Sequence, residues 1–297
     1  MKFFCWMVIE PWLKIAMRFQ GGIPMVFYTL QALYGPLYLS QSASPGQIDT
    51  TPGTHLAVVS EYGLQQYVCF RGVNYTMSGV GNPGHAYFLE VFGGTGPDAL
   101  VADVPASSHA PGSPVQAWTQ NGGRNQLWTM IPVSTAAGGG GDYYLRNVES
   151  GLVLDVPAYS KQSGTEIQQW TLNYGSNQIW IPLAQVAGSL ITYQFSVQSL
   201  GVDQNGAHLR FTGSHHQPNT QGQIFLINAP GPDYTSTASP WTDVFPIDGN
   251  GNFTIDATQF IESGSDTIPQ NAVAVLEDGE GYVSAMFQVP QAWLQPS

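Results

Sequence analysis

The sequence predicts an all-β protein, and three observations carry that expectation. Apolar residues alternate in short runs closed by Gly, Pro, Asn or Asp, which is strand length with strand punctuation. No segment keeps the 3.6-residue periodicity of a long helix. A block of about fifty residues recurs with its Asp, Gln, Trp and Asn positions in register, as in folds assembled from repeated units.

Composition sets the outer limits. The 297 residues are 43% hydrophobic and 12% aromatic, enough for a real core and against disorder. Only 9% are charged, against about 25% in an average soluble chain, so solubility rests on Gly, Ser, Thr, Asn and Gln. Eight basic residues face 20 acidic ones, a net charge of −12, which argues against a phosphate-tracking surface and excludes nucleic acid as a partner. Cys5 and Cys69 have neither a disulfide framework nor metal-ligand spacing, and Cys69 reads as a small buried hydrophobe.

Taken in chain order, the first element is Gly21–Leu39, which has no charged side chain. Arg18 precedes it, and Ser40, Ser42, Ala43 and Ser44 follow. A basic flank, an apolar stretch and small residues make a secretory signal. Residues 1–43 are therefore expected to be a signal peptide or leader cleaved near Ala43–Gly46, and the protein to be secreted. Nineteen uncharged residues could also span a membrane, but Pro24, Gly35 and Pro36 interrupt them. Strand-like runs follow at Thr54–Glu61, Tyr67–Val73, Tyr87–Phe92, Tyr143–Val148, Tyr193–Gln198, Gln223–Ile227, Ala272–Leu276 and Tyr282–Val289, with Gly138–Gly141 as a flexible connector.

The repeat is the most informative feature. Asp103, Gln116, Trp118, Asn125, Gln126 and Trp128 recur as Asp155, Gln168, Trp170, Asn177, Gln178 and Trp180, each displaced by 52 residues. A worn third copy is read after them: Leu200-Gly-Val202-Asp203 matches Leu152-Val-Leu154-Asp155, and Gln223-Ile-Phe225 matches Gln178-Ile-Trp180. That copy is three residues shorter, with Leu209-Arg210-Phe211 in place of Gln-x-Trp. One such unit cannot bury its apolar face alone, whereas three around a pseudo-threefold axis share a closed core.

These Gln-x-Trp repeats resemble the ricin-B type β-trefoil lectins. The resemblance implies a β-trefoil over residues 84–229 with the third repeat degenerate, and a core holding Trp128, Trp180 and Phe225. An additional β-rich region is expected from the flanks 44–83 and 230–297. The resemblance further implies that Asp103, Trp118 and Asn125, and likewise Asp155, Trp170 and Asn177, bind galactose-like sugars.

The residue types suit that chemistry. A pyranose presents one weakly polar C–H face and a ring of hydroxyls, calling for an aromatic plate, a carboxylate and amides. Each of two lobes supplies the set: Asp103, Gln116, Trp118, Asn125 and Gln126, then Asp155, Gln168, Trp170, Asn177 and Gln178. Competing structural roles exist: an Asp before Val-Pro can close a turn, Gln126 and Gln178 can tie loops together, and a Trp can pack beneath a glycine-rich loop. Asp203, Arg210 and Phe211 are a poor third set.

Catalysis has little support, because no nucleophile elbow, zinc-protease helix or phosphate loop is present. No catalytic residue, metal ligand or cofactor is assigned. His215-His216 reads as a solvated pair, and Asp248–Asp256 as a hairpin turn rather than a calcium loop, since Phe253 stands where glycine is needed. Asn74-Tyr-Thr76 and Asn252-Phe-Thr254 are glycosylation sequons. The expectation is a secreted lectin binding glycans or polysaccharide. Its membrane contact would run only through glycans or an uncleaved N-terminus. A polysaccharide-tethering module of a glycan-active enzyme, or a protein-binding scaffold or inhibitor, are the alternatives.

Overall fold

The computed structural model describes residues 3–10, 13–19, 27–41, 51–60, 66–76, 83–91, 100–133, 142–185, 194–203, 206–214, 216, 218–228, 237–259, 272–279 and 281–294. Strands and short 3-10 turns make up the regular structure of these residues.

Six strands close a barrel. Phe27–Ala32 pairs with Tyr67–Thr76, which pairs with Pro83–Val91. Pro83–Val91 then pairs with Leu127–Val133, and that strand with Asp142–Asn147. Asp142–Asn147 pairs with Ile179–Gln185, which returns to Phe27–Ala32 over six residue pairs, from Trp180–Ala32 to Gln185–Phe27. Every pairing is antiparallel, and closure leaves the barrel no free edge.

Three hairpins cap one end: Tyr38–Ser40 with Ala57–Val59, Leu100–Asp103 with Gln116–Thr119, and Val153–Asp155 with Gln168–Trp170. A ring of backbone hydrogen bonds marks the pseudo-threefold axis. Leu56 N–H donates to Val115 O (2.8 Å), Val115 N–H to Ile167 O (3.1 Å) and Ile167 N–H to Leu56 O (2.9 Å). All three side chains are fully buried. They share one core with Leu30, Leu39, Phe70, Leu89, Trp128 and Trp180. As the repeat implies, both tryptophans point inward, each indole N–H donating to a strand carbonyl: Trp128 to Ala102 and Trp180 to Leu154.

The fold is the expected β-trefoil, but its third lobe lies before the other two. Ser40, Ala57, Val59, Gln66 and Val68 occupy the positions of Asp103, Gln116, Trp118, Gln126 and Trp128. The trefoil strands therefore run from Phe27 to Gln185, not over 84–229, and residues 51–60 and 66–76 belong to this N-terminal lobe rather than to a flank. This also overturns cleavage near Ala43–Gly46. Residues 27–40, from within the apolar run Gly21–Leu39 to just past its end, supply two strands, and Tyr28, Leu30, Leu37 and Leu39 are buried in the trefoil core. Ser42, Ala43 and Ser44 lie outside the described residues.

The assignment of Leu200–Asp203 and Gln223–Phe225 as a third repeat is corrected likewise. Gln194–Asp203 joins Gly206–Ser214 and Phe253–Gln259 in a separate three-stranded sheet. Gln221–Asn228 joins a second sheet with Thr237–Pro240, Phe245–Pro246, Ala272–Asp278 and Val283–Val289. Phe211, Leu226, Trp241 and Leu276 form part of their own core. Asp203 contacts His208, and Arg210 makes two hydrogen bonds to Asp256, so neither belongs to a trefoil lobe. Phe225 stacks on His85 at the junction with the trefoil.

That junction is continuous. Ile227, Val273, Val275 and Val283 enter the trefoil core, His85 Nε2 meets Glu277 Oε1 at 2.8 Å, and Gly72 N–H donates to Gly281 O. Asp248 forms a hairpin turn in which its carboxylate accepts the N–H groups of Asn250 and Asn252. Those bonds hold its pKa below the ordinary value. His216 is buried against Gln194 O rather than solvated, while His215 and the Gly138–Gly141 connector lie outside the described residues. Cys69 is buried, and desolvation pushes its thiol pKa well up, as suits an unreactive core residue.

Candidate functional site

Each repeated set converges on its own aspartate. In lobe one, Asp103 ends the strand Leu100–Asp103 and its carboxylate is buried. Gln116 Nε2 donates to Oδ1 at 2.9 Å, while Asn125 Nδ2 and Gln126 Nε2 donate to Oδ2 at 2.8 and 3.1 Å. In lobe two, Gln168, Asn177 and Gln178 make the same bonds to Asp155 at 2.8, 2.8 and 3.1 Å. A carboxylate has about four acceptor positions. Three are filled from within, which leaves one on Oδ1, on the side of Gln116 or Gln168.

The second amide hydrogens are also committed. Asn125 donates to Val104 O and Asn177 to Val156 O, both at 2.9 Å. Gln126 bridges Thr119 O and Asn121 N–H, and Gln178 bridges Thr171 O and Asn173 N–H. The two glutamines are fully buried and their amide groups are engaged within the lobe, where they position the carboxylates. Asn177 Oδ1 is buried and has no hydrogen-bond partner among the described residues. The unused capacity at this floor is therefore an acceptor, which suits the hydroxyl donors of a sugar.

The tryptophans stand beside these floors. Gln116 and Trp118 are two apart on one strand, as are Gln168 and Trp170, so each pair shares a face. Trp118 is 39% exposed and Trp170 40%, leaving aromatic surface open to solvent. Each ring is backed by a glycine from the preceding lobe. A Cβ on Gly53 would lie 3.3 Å from the Trp118 ring, and one on Gly112 equally close to Trp170. Both glycines have positive φ, +97° and +88°, so a side chain there would be strained as well as crowded.

These glycines expose a signal that sequence reasoning missed. Gly53-Thr54-x-Leu56, Gly112-Ser113-x-Val115 and Gly164-Thr165-x-Ile167 each precede the Gln-x-Trp position or its equivalent. In each, the Ser or Thr hydroxyl donates to the carbonyl three residues before it, closing the same turn. This pattern survives in the N-terminal lobe, where Ser40, Ala57 and Val59 stand in place of the carboxylate, the amide and the aromatic plate.

Asp155 has a pKa above the ordinary aspartate value because burial penalises its charge, which the amide bonds from Gln168, Gln178 and Asn177 only partly offset. The sign for folding follows. Stability from this group rises as pH falls through its folded value and levels off below the unfolded one. Recognition of a ligand through this carboxylate would run the other way, since a protonated carboxyl cannot accept all these donors. With lobe one disabled by Asp103→Ala, calorimetric binding should be lost on acidification with a midpoint above the ordinary aspartate range; a midpoint below that range contradicts this assignment.

Fold and site together define the class, a lectin-like β-trefoil with two equipped lobes. The family model for ricin-type β-trefoil lectin domain-like sequences matches residues 95–170 and 134–209, the second match running past the last trefoil strand. Carbohydrate binding is the general property of that domain class. Among solved structures, the designed threefold-symmetric protein ThreeFoil is 24% identical (53% of this chain, 97% of that one, TM-score 0.41). An exo-β-1,3-galactanase from Clostridium thermocellum is 21% identical (54% and 30%, TM-score 0.39). A Polyporus squamosus lectin is 9% identical (80% and 97%, TM-score 0.35). No curated protein matches the chain.

Proposed function

We propose that this protein is a bivalent glycan-binding protein whose trefoil holds two shallow sites, one at Asp103 with Trp118 and one at Asp155 with Trp170. The observation that carries this reading is the duplicated constellation. Each lobe holds a carboxylate through three amide donors and sets a glycine-backed, solvent-open indole beside it.

The division of labour follows from hydrogen-bonding capacity, which the two glutamines spend within the lobe. Gln126 and Gln178 hold the floor rigid, Asp and Asn accept from hydroxyls, and the indole takes the C–H face of the ring. Galactose-like sugars are the proposed class, on the strength of the family likeness. Extracellular glycans are the proposed partners, in keeping with a chain in which only 9% of residues are charged. Each hydrogen bond is worth only about 0.5–1.5 kcal/mol net, so a free monosaccharide should bind near the millimolar range, about 4 kcal/mol.

A glycan array tests the proposal. The wild type should select a related set of glycans and the Asp103→Ala/Asp155→Ala protein should select none. An array that stays blank with folded wild type, or a pattern unchanged in the double variant, would refute it.

A further inference from the structure

The two lobes match in their floors and differ at their rims. Displacement by 52 residues places Tyr159 opposite Ser107 and Tyr174 opposite Gly122. We propose that Tyr159 makes lobe two a two-residue site, in which one sugar ring lies on Trp170 and the adjoining residue lies against Tyr159, while lobe one holds a single residue. This rests on the assignment of Asp155 and Trp170 as a glycan site.

Contacts link the two aromatic groups, each through an amide neighbour, to different oxygens of one carboxylate. Trp170 shares a strand face with Gln168, which holds Asp155 Oδ1. The Tyr159 hydroxyl sits over Gly175, where an added Cβ would collide with it and would lie 2.5 Å from Asn177 Oδ1. Asn177 in turn holds Asp155 Oδ2. Its own Oδ1, buried and without a partner among the described residues, is thus an acceptor on the Tyr159 side of the floor. A pyranose offers one C–H face to one plate, so a second plate beyond the carboxylate suits a neighbouring residue of the same chain.

Tyr159 is held in place rather than loosely displayed. It is 47% exposed and has φ of 55°, in a left-handed pair with Ala158, a backbone conformation that a non-glycine residue keeps only where its surroundings hold it. Tyr34, from a turn of the N-terminal lobe, meets its ring edge-on at 6.2 Å and donates its hydroxyl to Ser160 O at 2.6 Å. The lobe that lost its own site thus braces the rim of its neighbour. Ser107 has the same backbone conformation, φ 51°, but no ring to offer.

Calorimetry on single-lobe proteins tests this, with galactose, mannose, lactose and mannobiose as probes. Asp103→Ala leaves lobe two and Asp155→Ala leaves lobe one. Lobe two should bind the matching disaccharide at least fivefold more tightly than its monosaccharide, and lobe one less than twofold. In the Asp103→Ala background, Tyr159→Ser should bring the ratio of lobe two down to that of lobe one, and Tyr34→Phe should lower it part of the way. Equal ratios in the two lobes, or a ratio indifferent to Tyr159→Ser, would overturn the inference while leaving both sites standing. Failure of both lobes to bind any probe would instead overturn the glycan assignment and this inference with it.

Discussion

A chain beginning at Gly46 is expected not to fold. Such a chain lacks the strands Phe27–Ala32 and Tyr38–Ser40, and the loss opens the six-strand barrel between Tyr67–Thr76 and Ile179–Gln185. It also removes Tyr28, Leu30, Ala32, Leu37 and Leu39, none more than 4% exposed, from the shared core. Burying one large apolar side chain contributes about 1.5–3 kcal/mol. Four of these together approach or exceed the 5–15 kcal/mol by which a typical domain is stable. A chain beginning at Gly22 keeps every trefoil strand and should retain the cooperative thermal transition of the trefoil. A cooperative transition at the wild-type Tm in the Gly46 chain would contradict the barrel closure described above.

The second large effect is on surface retention. Two weak sites on one rigid trefoil gain from linkage, because the second contact forms at a high effective concentration; the gain in avidity is roughly 10²–10⁴-fold. Asp103→Ala or Asp155→Ala removes one acceptor floor and leaves the three surrounding amides without their common partner. Either variant should therefore lose retention on a polyvalent glycan surface by about 10²-fold or more. Surface plasmon resonance on dense and sparse glycan coatings separates the cases. The gap between wild type and single variants should narrow as the coating becomes too sparse for both sites to be engaged. A twofold loss on dense coatings would mean that the sites act independently.

Lobes one and two were legible because their chemistry restricts residue type. Only a carboxylate accepts three amide donors at once, so Asp103 and Asp155 keep their Gln and Asn companions at fixed spacing. The N-terminal lobe was not legible by that signal, because packing restricts only volume and polarity. Val68 can stand for Trp128, and Ala57 for Gln116, without disturbing the barrel, and only Gln66 and the Gly53-Thr54-x-Leu56 turn retain the repeat. Hydropathy could not separate a secretory segment from two strands buried by their neighbours, since Leu30, Leu37 and Leu39 read alike in either setting. The false third copy arose because Leu-x-Val-Asp and Gln-x-Phe are ordinary strand sequences, and its three-residue shortfall was the clue against it. The roles of Gln126 and Gln178 needed coordinates, since nothing in a Gln-x-Trp string says whether the amide faces a ligand or the core.

The most direct measurement is the stoichiometry of sugar binding by titration calorimetry, on the wild type, Asp103→Ala, Asp155→Ala and Asp203→Ala. Two equipped lobes predict two sites in the wild type, one in each of the first two variants, and two in Asp203→Ala, whose carboxylate contacts His208 outside the trefoil. One site or three in the wild type, or binding that survives both lobe substitutions at full stoichiometry, would contradict a trefoil that binds glycans through Asp103 and Asp155.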